Sequence, residues 1–317
     1  MARTSRSQRI IRVFLVISGV LAFLYAGVSI YLALILSYVP PQPITRTPSS
    51  LGLSYRSVSF LSRQDHLLLR GWFMPGILPN GRLTAERTVI QVHGNNNNRT
   101  MALSISGALV QHGIAVLTFD SRGNGESTPA PNGGGYFEQR DILGAVDFLR
   151  SGPLPYPELG RPRAIGGWGI SVGGDALIYA AAQEPAIKAI AIDSAYATMA
   201  EYMERAFGPY FLFIPGTRFA AQMLYGIDYA TVRPVDVVAK IAPRPIFFIQ
   251  GAADIIIPPS NMTELAAAAA AAPGAHVQTW LVPNARHVEA YNKMRNTYIN
   301  HLVTFFTTEL QSTASTG

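Results

Sequence analysis

The sequence predicts an α/β protein with a doubly wound, mostly parallel sheet. Six short, almost wholly apolar runs of strand length alternate with stretches of helical character. Near-continuous apolar strands are those covered by helices on both faces. No repeat of 20 to 50 residues is visible, and a body of about 270 residues suits one large domain rather than two small ones.

The strand candidates are TVIQVHG (88–94), IAVLTFD (114–120), RAIGGWG (163–169), IKAIAIDS (187–194), PIFFIQG (245–251) and HVQTWLV (276–282). Helices are expected near 100–111, 137–150, 172–183, 260–272 and 290–310. Ala266 to Ala272 belongs to the fourth of these, because alanine has the highest helix propensity and Pro273 with Gly274 ends the run. YRSVSF (55–60) and LLLRGWFMP (67–75) read as an antiparallel hairpin at one edge, with Gln64 and Asp65 in the turn, which brings the sheet to about eight strands. Residues 195–235 break the rhythm: they are aromatic-rich and lie where a short helix would suffice, so they read as a small cap over the carboxyl edge of the sheet, the alternative being extra core packing.

Composition narrows the chemistry. With 49% hydrophobic residues and no cysteine, the chain is neither disordered nor disulfide-built, and cysteine catalysis and thiolate metal sites are excluded. The net charge of +6 draws four charges from Arg3, Arg6, Arg9 and Arg12, leaving about +2 on the rest. No basic stripe with interleaved aromatics is present, which argues against a nucleic-acid partner. From Val13 to Val39 no side chain is charged, a run of 27 residues where about 20 suffice to cross a bilayer. It is too long for a secretory signal and lacks a good cleavage site, so we read an uncleaved anchor. The arginines before it leave the amino terminus in the cytoplasm and the body outside. Pro40, Pro41, Pro43 and Pro48 then read as a stiff stalk. The expected organisation is a basic tail (1–12), a transmembrane helix (13–39), the stalk (40–54), a catalytic domain (55–311) with its cap, and a tail (312–317).

Gly169-Ile170-Ser171-Val172-Gly173 follows a strand and precedes a helix, the setting of a nucleophile elbow. The serine occupies a tight turn, so the positions two before and two after it must lack side chains to let strand and helix approach. A serine hydroxyl needs a positioned base, and the base needs an acid to fix its tautomer. Asp254 follows one strand and His287 the next, and the order Ser171, Asp254, His287 is the one expected on such a sheet. Acyl transfer also develops a negative oxygen that amide donors must meet. The expected donors are the N–H groups of Val172 and of Asn95 in the loop His93-Gly94-Asn95.

Other candidates fit ordinary roles. His301 falls inside the last helix, His112 ends a helix, His276 begins a strand and His66 lies in the edge hairpin. Asp193 ends a strand and is the alternative acid; Asp228 and Asp236 suit caps or surface pairs, and Asp175 suits the helix dipole. The Asp and Arg of the segment 120–127 are expected to brace neighbouring loops.

Taken together, HGNNNN, FDSRGNGES, GWGISVGG, GAADIIIPP and NARHVEAY resemble the α/β-hydrolase superfamily, in its serine-aminopeptidase and prolyl-oligopeptidase-related branch. The resemblance covers roughly residues 55–310 and extends to single-span, membrane-anchored bacterial hydrolases. It departs in carrying four consecutive asparagines, Asn95 to Asn98, where relatives tend to have a mixed, bulkier stretch. It implies triad roles for Ser171, Asp254 and His287, with no metal or organic cofactor. The expected activity is that of a serine hydrolase acting on a small-molecule carboxylic ester or related acyl compound. The alternatives are a peptidase or thioesterase with the same triad, or a catalytically silent, membrane-tethered binding protein. Oligomeric state is not legible in the sequence.

Overall fold

A computed structural model describes residues 6–311; the first five residues of the basic tail and the 312–317 tail lie outside the described residues. The chain begins with helix α1 (Arg6–Ser37), followed by the hairpin β1 (Arg56–Leu61) and β2 (Leu68–Met74). Next come the short pair β3 (Gly76–Ile77) and β4 (Leu83–Thr84), then β5 (Arg87–Val92), α2 (Leu103–Gln111), β6 (Ala115–Phe119) and α3 (Gln139–Ser151). They are followed by β7 (Ala164–Ile170), α4 (Val172–Gln183), β8 (Ile187–Asp193), α5 (Met199–Phe207) and α6 (Ile214–Tyr225). The chain closes with β9 (Ile246–Gly251), α7 (Pro259–Ala270), β10 (Val277–Val282), α8 (Ala290–Lys293) and α9 (Arg295–Glu309).

Eight strands form one sheet in the order β1-β2-β6-β5-β7-β8-β9-β10. β2 runs antiparallel to both β1 and β6, and the six strands from β6 to β10 are mutually parallel. Alternate side chains feed two cores. Ile90, Leu117 and Phe248 meet α3, α4 and α7 on one face, whereas Val89, Val116 and Phe247 meet α2 and α9 on the other. Both faces of β5 and β6 are therefore dry, which explains runs with no polar alternation. β10 is the exception. It pairs only with β9 and exposes Gln278, Thr279 and Leu281, as an edge strand does.

Strand order reverses at β5, whose neighbours are β6 on one side and β7 on the other. The crevice at the carboxyl ends of such strands is where doubly wound sheets place ligands. The loops after β5 and β7, which carry His93 to Asn95 and Ser171, both open there.

Local differences from the sequence reading are small. The pair β3 and β4 has two residues per strand, too short for any periodicity to register. The expected helix over 290–310 is broken at Met294 (φ −136°, ψ 53°) without a proline or glycine, so packing rather than local sequence makes the break.

Residues 195–235 form α5, a 3-10 stretch over Gly208–Phe213, α6 and further short turns. Their apolar side chains make a cluster of their own, with Met203, Phe207, Ala221 and Tyr229 at its centre. That cluster also takes in Ala33 of α1. The carboxyl half of α1 lies along α6, burying Ser29, Ala33 and Ser37 at helical spacing. Gly216 makes the close approach possible: a Cβ there would lie 2.7 Å from the Tyr25 ring and press on Ser29 Oγ. Tyr25 stacks on Phe213 at 5.2 Å, and its hydroxyl donates to the Leu212 carbonyl. Farther along, Ser37 and Tyr229 hydroxyls share a 2.8 Å hydrogen bond, and the Asn132 N–H donates to the Ser37 carbonyl at 2.7 Å.

After α1 the proline-rich stretch differs from a free-standing spacer: it lies on the domain as a strap. Gln42 Nε2 donates to Asn96 Oδ1 at 2.8 Å, and Arg46 donates to the Thr100 carbonyl at 3.3 Å.

Candidate active site

Ser171 sits between β7 and α4 with φ 53° and ψ −129°, a conformation that costs a non-glycine residue about 1–3 kcal/mol. The flanking glycines keep it there. A Cβ on Gly169 would lie 2.5 Å from the Gly173 carbonyl oxygen, and one on Gly173 would lie 2.7 Å from the Val92 carbonyl oxygen. The obstacles are backbone atoms of the neighbouring strand and helix, so neither can rotate away. The Ser171 N–H donates to the Asp193 carbonyl at 2.7 Å, tying the turn to the end of β8.

The three residues singled out in the sequence meet. His287 Nε2 is 3.1 Å from Ser171 Oγ, and His287 Nδ1 is 2.8 Å from Asp254 Oδ2. Asp254 is buried, and its carboxylate is held from several sides. Oδ1 accepts the N–H groups of Ile256 and Ile257, both at 2.9 Å, while Oδ2 also accepts Gln250 Nε2 at 2.9 Å. Gln250 in turn donates to the Ile257 carbonyl at 2.8 Å, pinning the loop that bears the acid. This residue was not singled out from the sequence, although a glutamine inside the buried run IFFIQG was a readable signal. On the His287 side the loop is strained as well. Val288 has φ 53°, a rare value for a β-branched residue.

The Val172 and Asn95 N–H groups, the expected oxyanion donors, have no hydrogen-bond acceptor among the described residues. Val172 begins α4, where a helix leaves its first amides free. The asparagine run has a local physical account. Asn96 takes φ 53°, which asparagine tolerates better than most residues, and accepts the bond from Gln42. Asn98 is buried: its Oδ1 accepts the Thr100 N–H at 2.9 Å, and its Nδ2 donates to the carbonyls of Gln42 and Pro43.

His93 is a pin between loops. Its Nδ1 lies 2.7 Å from the Gly94 carbonyl, and its Nε2 accepts the Ser121 N–H at 3.0 Å, so Nδ1 carries the proton. Burial lowers its pKa, in keeping with that neutral tautomer. The 120–127 segment braces its neighbours as expected. Asp120 accepts the Arg99 N–H at 2.8 Å and the Glu126 N–H at 2.9 Å, and Arg122 pairs with Asp141 and Asp65, each at 2.7 Å.

The rival residues are engaged elsewhere. Asp193 is buried against Tyr298 Oη at 2.7 Å and Ser194 Oγ at 2.8 Å; burial pushes its carboxyl up, and these two donors oppose the rise. His301 packs on Trp280 and Phe247. Asp228 caps a turn and pairs with Arg218, and Asp236 pairs with Arg233. Asp175 differs from a solvated group answering the helix dipole. It is fully buried beneath the cap, accepts only the Tyr196 N–H at 3.1 Å, and burial raises its pKa well above the ordinary value.

A cavity of about 420 Å³ opens beside Ile170 and Val288, the neighbours of Ser171 and His287. Arg46, Met101, Asp193, Tyr291 and Arg295 are among the residues that line it.

Comparison with known proteins agrees with this architecture. The chain is 27% identical over 268 residues to the uncharacterized protein YfhR of Salmonella typhimurium, with 81% of this chain and 82% of that one covered. Among solved structures, the Pyrococcus furiosus esterase Pf2001 superposes with a TM-score of 0.69 at 22% identity, over 86% of this chain and 99% of that chain. The Pyrococcus horikoshii acylaminoacyl peptidase gives 0.62 at 18% identity, over 84% of this chain but 43% of its own. At these identities the two structures attest the fold. A model of the prolyl oligopeptidase family matches residues 106–313, from within α2 to just past α9, and the chain therefore belongs to that family of α/β-hydrolase enzymes.

Proposed function

We propose that the protein is a serine hydrolase of carboxylic esters, with Ser171 as nucleophile, His287 as general base and acid, and Asp254 as the residue that orients the imidazole. The observation that carries this is the pair of contacts on one ring, 3.1 Å from Nε2 to Ser171 Oγ and 2.8 Å from Nδ1 to Asp254 Oδ2. Both lie within the reach that proton transfer needs.

Nε2 takes the hydroxyl proton as Oγ attacks the substrate carbonyl, while Nδ1–H stays on Asp254. The resulting oxyanion meets the N–H groups of Val172 and Asn95, worth about 100 to 1000-fold in rate per donor. The imidazolium then protonates the leaving oxygen, and acyl-Ser171 remains. A water that gives its proton to Nε2 attacks this ester, and its collapse returns the proton to Oγ and frees the acid. No step needs a cofactor. An ester is favoured over a peptide with a free amino terminus because the carboxylate that lines the cavity, Asp193, is already held by Tyr298 and Ser194, and the other charged lining residues are Arg46 and Arg295.

The same reading makes α1 a retained single-span anchor, with the amino terminus cytoplasmic and the catalytic domain outside. Its support is the uncharged run after Arg12 and the burial of Ser29, Ala33 and Ser37 against the cap, which cleavage would undo.

A fluorophosphonate probe tests the chemistry: labelling of the wild type that vanishes in Ser171→Ala is expected, and folded wild type that fails to label overturns the proposal. Nitrophenyl esters of increasing chain length against aminoacyl amides then separate esterase from peptidase. Release of intact protein by high salt alone would refute the anchor.

A further inference from the structure

The span of α1 does not fit a bilayer unless part of the cap enters it with the helix. From Tyr25 onward one face of α1, with Tyr25, Ser29, Ala33 and Ser37, is docked on the cap, so the uncharged part of α1 that is free of it runs from Val13 to Leu24, 12 residues. At 1.5 Å per residue that is about 18 Å, against about 30 Å of hydrocarbon to be crossed. The missing 12 Å or so must come from the stretch beginning at Tyr25, where α1 already lies against Leu212, Phe213 and Gly216. Whatever part of the cap flanks that stretch lies at the same depth.

The cap surface at this level is built for such a place. Tyr210, Phe211, Leu212, Phe219, Met223 and Leu224 are all more than half exposed, with Leu212 at 65% and both Phe219 and Met223 at 69%. Tyr210, Phe211, Leu212 and Phe219 fall within ten positions of chain around Gly216, which meets Tyr25 and Ser29, whereas Met223 and Leu224 lie toward Tyr225, which packs on Tyr38. Aromatic residues also suit the boundary between acyl chains and headgroups. The patch continues onto α1, where Tyr31, Leu34 and Ile35 are exposed beside it. Arg218, the charge nearest to it in sequence, is turned into a pair with Asp228, next to Tyr229 and therefore toward the end of α1 at Ser37. That is the direction out of the hydrocarbon, the way a basic side chain snorkels.

We propose that the outer face of the cap, residues 210–219, is immersed in the acyl chains of the bilayer beside α1, so that helix and cap together form the membrane-embedded part of the protein. This rests on the reading of α1 as a spanning helix.

The chain has no cysteine, so single labels can be placed without background. Bimane would be attached at Leu21→Cys in the free part of α1, at Phe211→Cys and Phe219→Cys on the patch, and at Gln278→Cys on the far edge strand. The full chain would be reconstituted in phosphatidylcholine vesicles with lipids brominated along their acyl chains. The proposal expects the loss of fluorescence at 211 and 219 to approach that at 21, with none at 278. Quenching at 21 alone overturns the immersion and leaves the anchor standing. No quenching at 21 removes the anchor and the proposal with it. If 211 and 219 are shielded from brominated lipid but shift with protein-to-lipid ratio, a second copy covers the patch and the proposal fails.

Discussion

The elbow and the seam between α1 and the cap are both close approaches made possible by glycine, yet they are held in different ways. At the elbow, Gly169 and Gly173 bring backbone against backbone, the Ser171 N–H donates to the Asp193 carbonyl of β8, and Gln250 with the Ile256 and Ile257 amides holds the Asp254 carboxylate. At the seam, Gly216 brings side chains against a helix, with aromatic stacking at Tyr25 and hydrogen bonds spread along α1 from Tyr25 to Ser37. On the proposed function, the first arrangement positions atoms for chemistry. The second joins two surfaces and tolerates adjustment. Substitutions at the elbow should therefore cost rate, and those at the seam should cost attachment.

The largest effect is expected from the imidazole's partners. Asp254→Asn puts an amide N–H in place of the oxygen that accepts from Nδ1, so the imidazole takes the wrong tautomer, and ester turnover should fall by about 10⁴-fold with the fold intact. Steady-state kinetics beside circular dichroism would check both. Gly173→Ala comes next: its Cβ meets the Val92 carbonyl oxygen at 2.7 Å, so the elbow must shift. Overpacking of about 1–3 kcal/mol and a rate loss of about 100-fold for a displacement near 1 Å are expected, read by urea denaturation and by fluorophosphonate labelling rate. Gly216→Val should do the opposite, leaving turnover of a soluble ester nearly unchanged while limited proteolysis in detergent cuts faster between α1 and the strap.

The smallest effect concerns Asp175 beneath the cap. Burial raises its pKa above that of the unfolded chain, so in the window between the two values the unfolded state binds fewer protons and stability falls as pH rises. The slope is at most about 1.4 kcal/mol per pH unit for one group. Asp175→Asn should flatten the decline of melting temperature as pH rises above the ordinary carboxyl range. An unchanged slope would place the pH sensitivity elsewhere, Glu138 being the nearby buried carboxyl that is also raised.

The same contrast explains what the sequence could disclose. Five of the six parallel strands were legible because burial on both faces writes continuous apolar runs, β10 at the edge being read from its β-branched and aromatic residues, and the positions of Ser171, Asp254 and His287 because each follows a strand. The glycine spacing around Ser171 was legible too, since backbone contact leaves no choice of residue. The seam was not, because Ser29, Ala33 and Ser37 are ordinary small residues in an apolar helix until α6 is laid against them. The strap was missed for a related reason. Prolines announce extended chain but not what it lies on, and the bonds from Gln42 and Asn98 form between segments 54 to 56 residues apart. The strain at Val288 likewise depends on the loop that holds it, since nothing local favours φ 53° for valine.

The central claim is that one imidazole links the Ser171 hydroxyl to the Asp254 carboxylate, and the most direct measurement is the acyl-enzyme itself. Rapid quenching of the full chain with a p-nitrophenyl ester, followed by peptide mass analysis, should find the acyl group on the peptide bearing Ser171, with its formation slowed by about 10⁴-fold in Asp254→Asn. An acyl group on another residue, or turnover that survives Ser171→Ala at the wild-type rate, would contradict it.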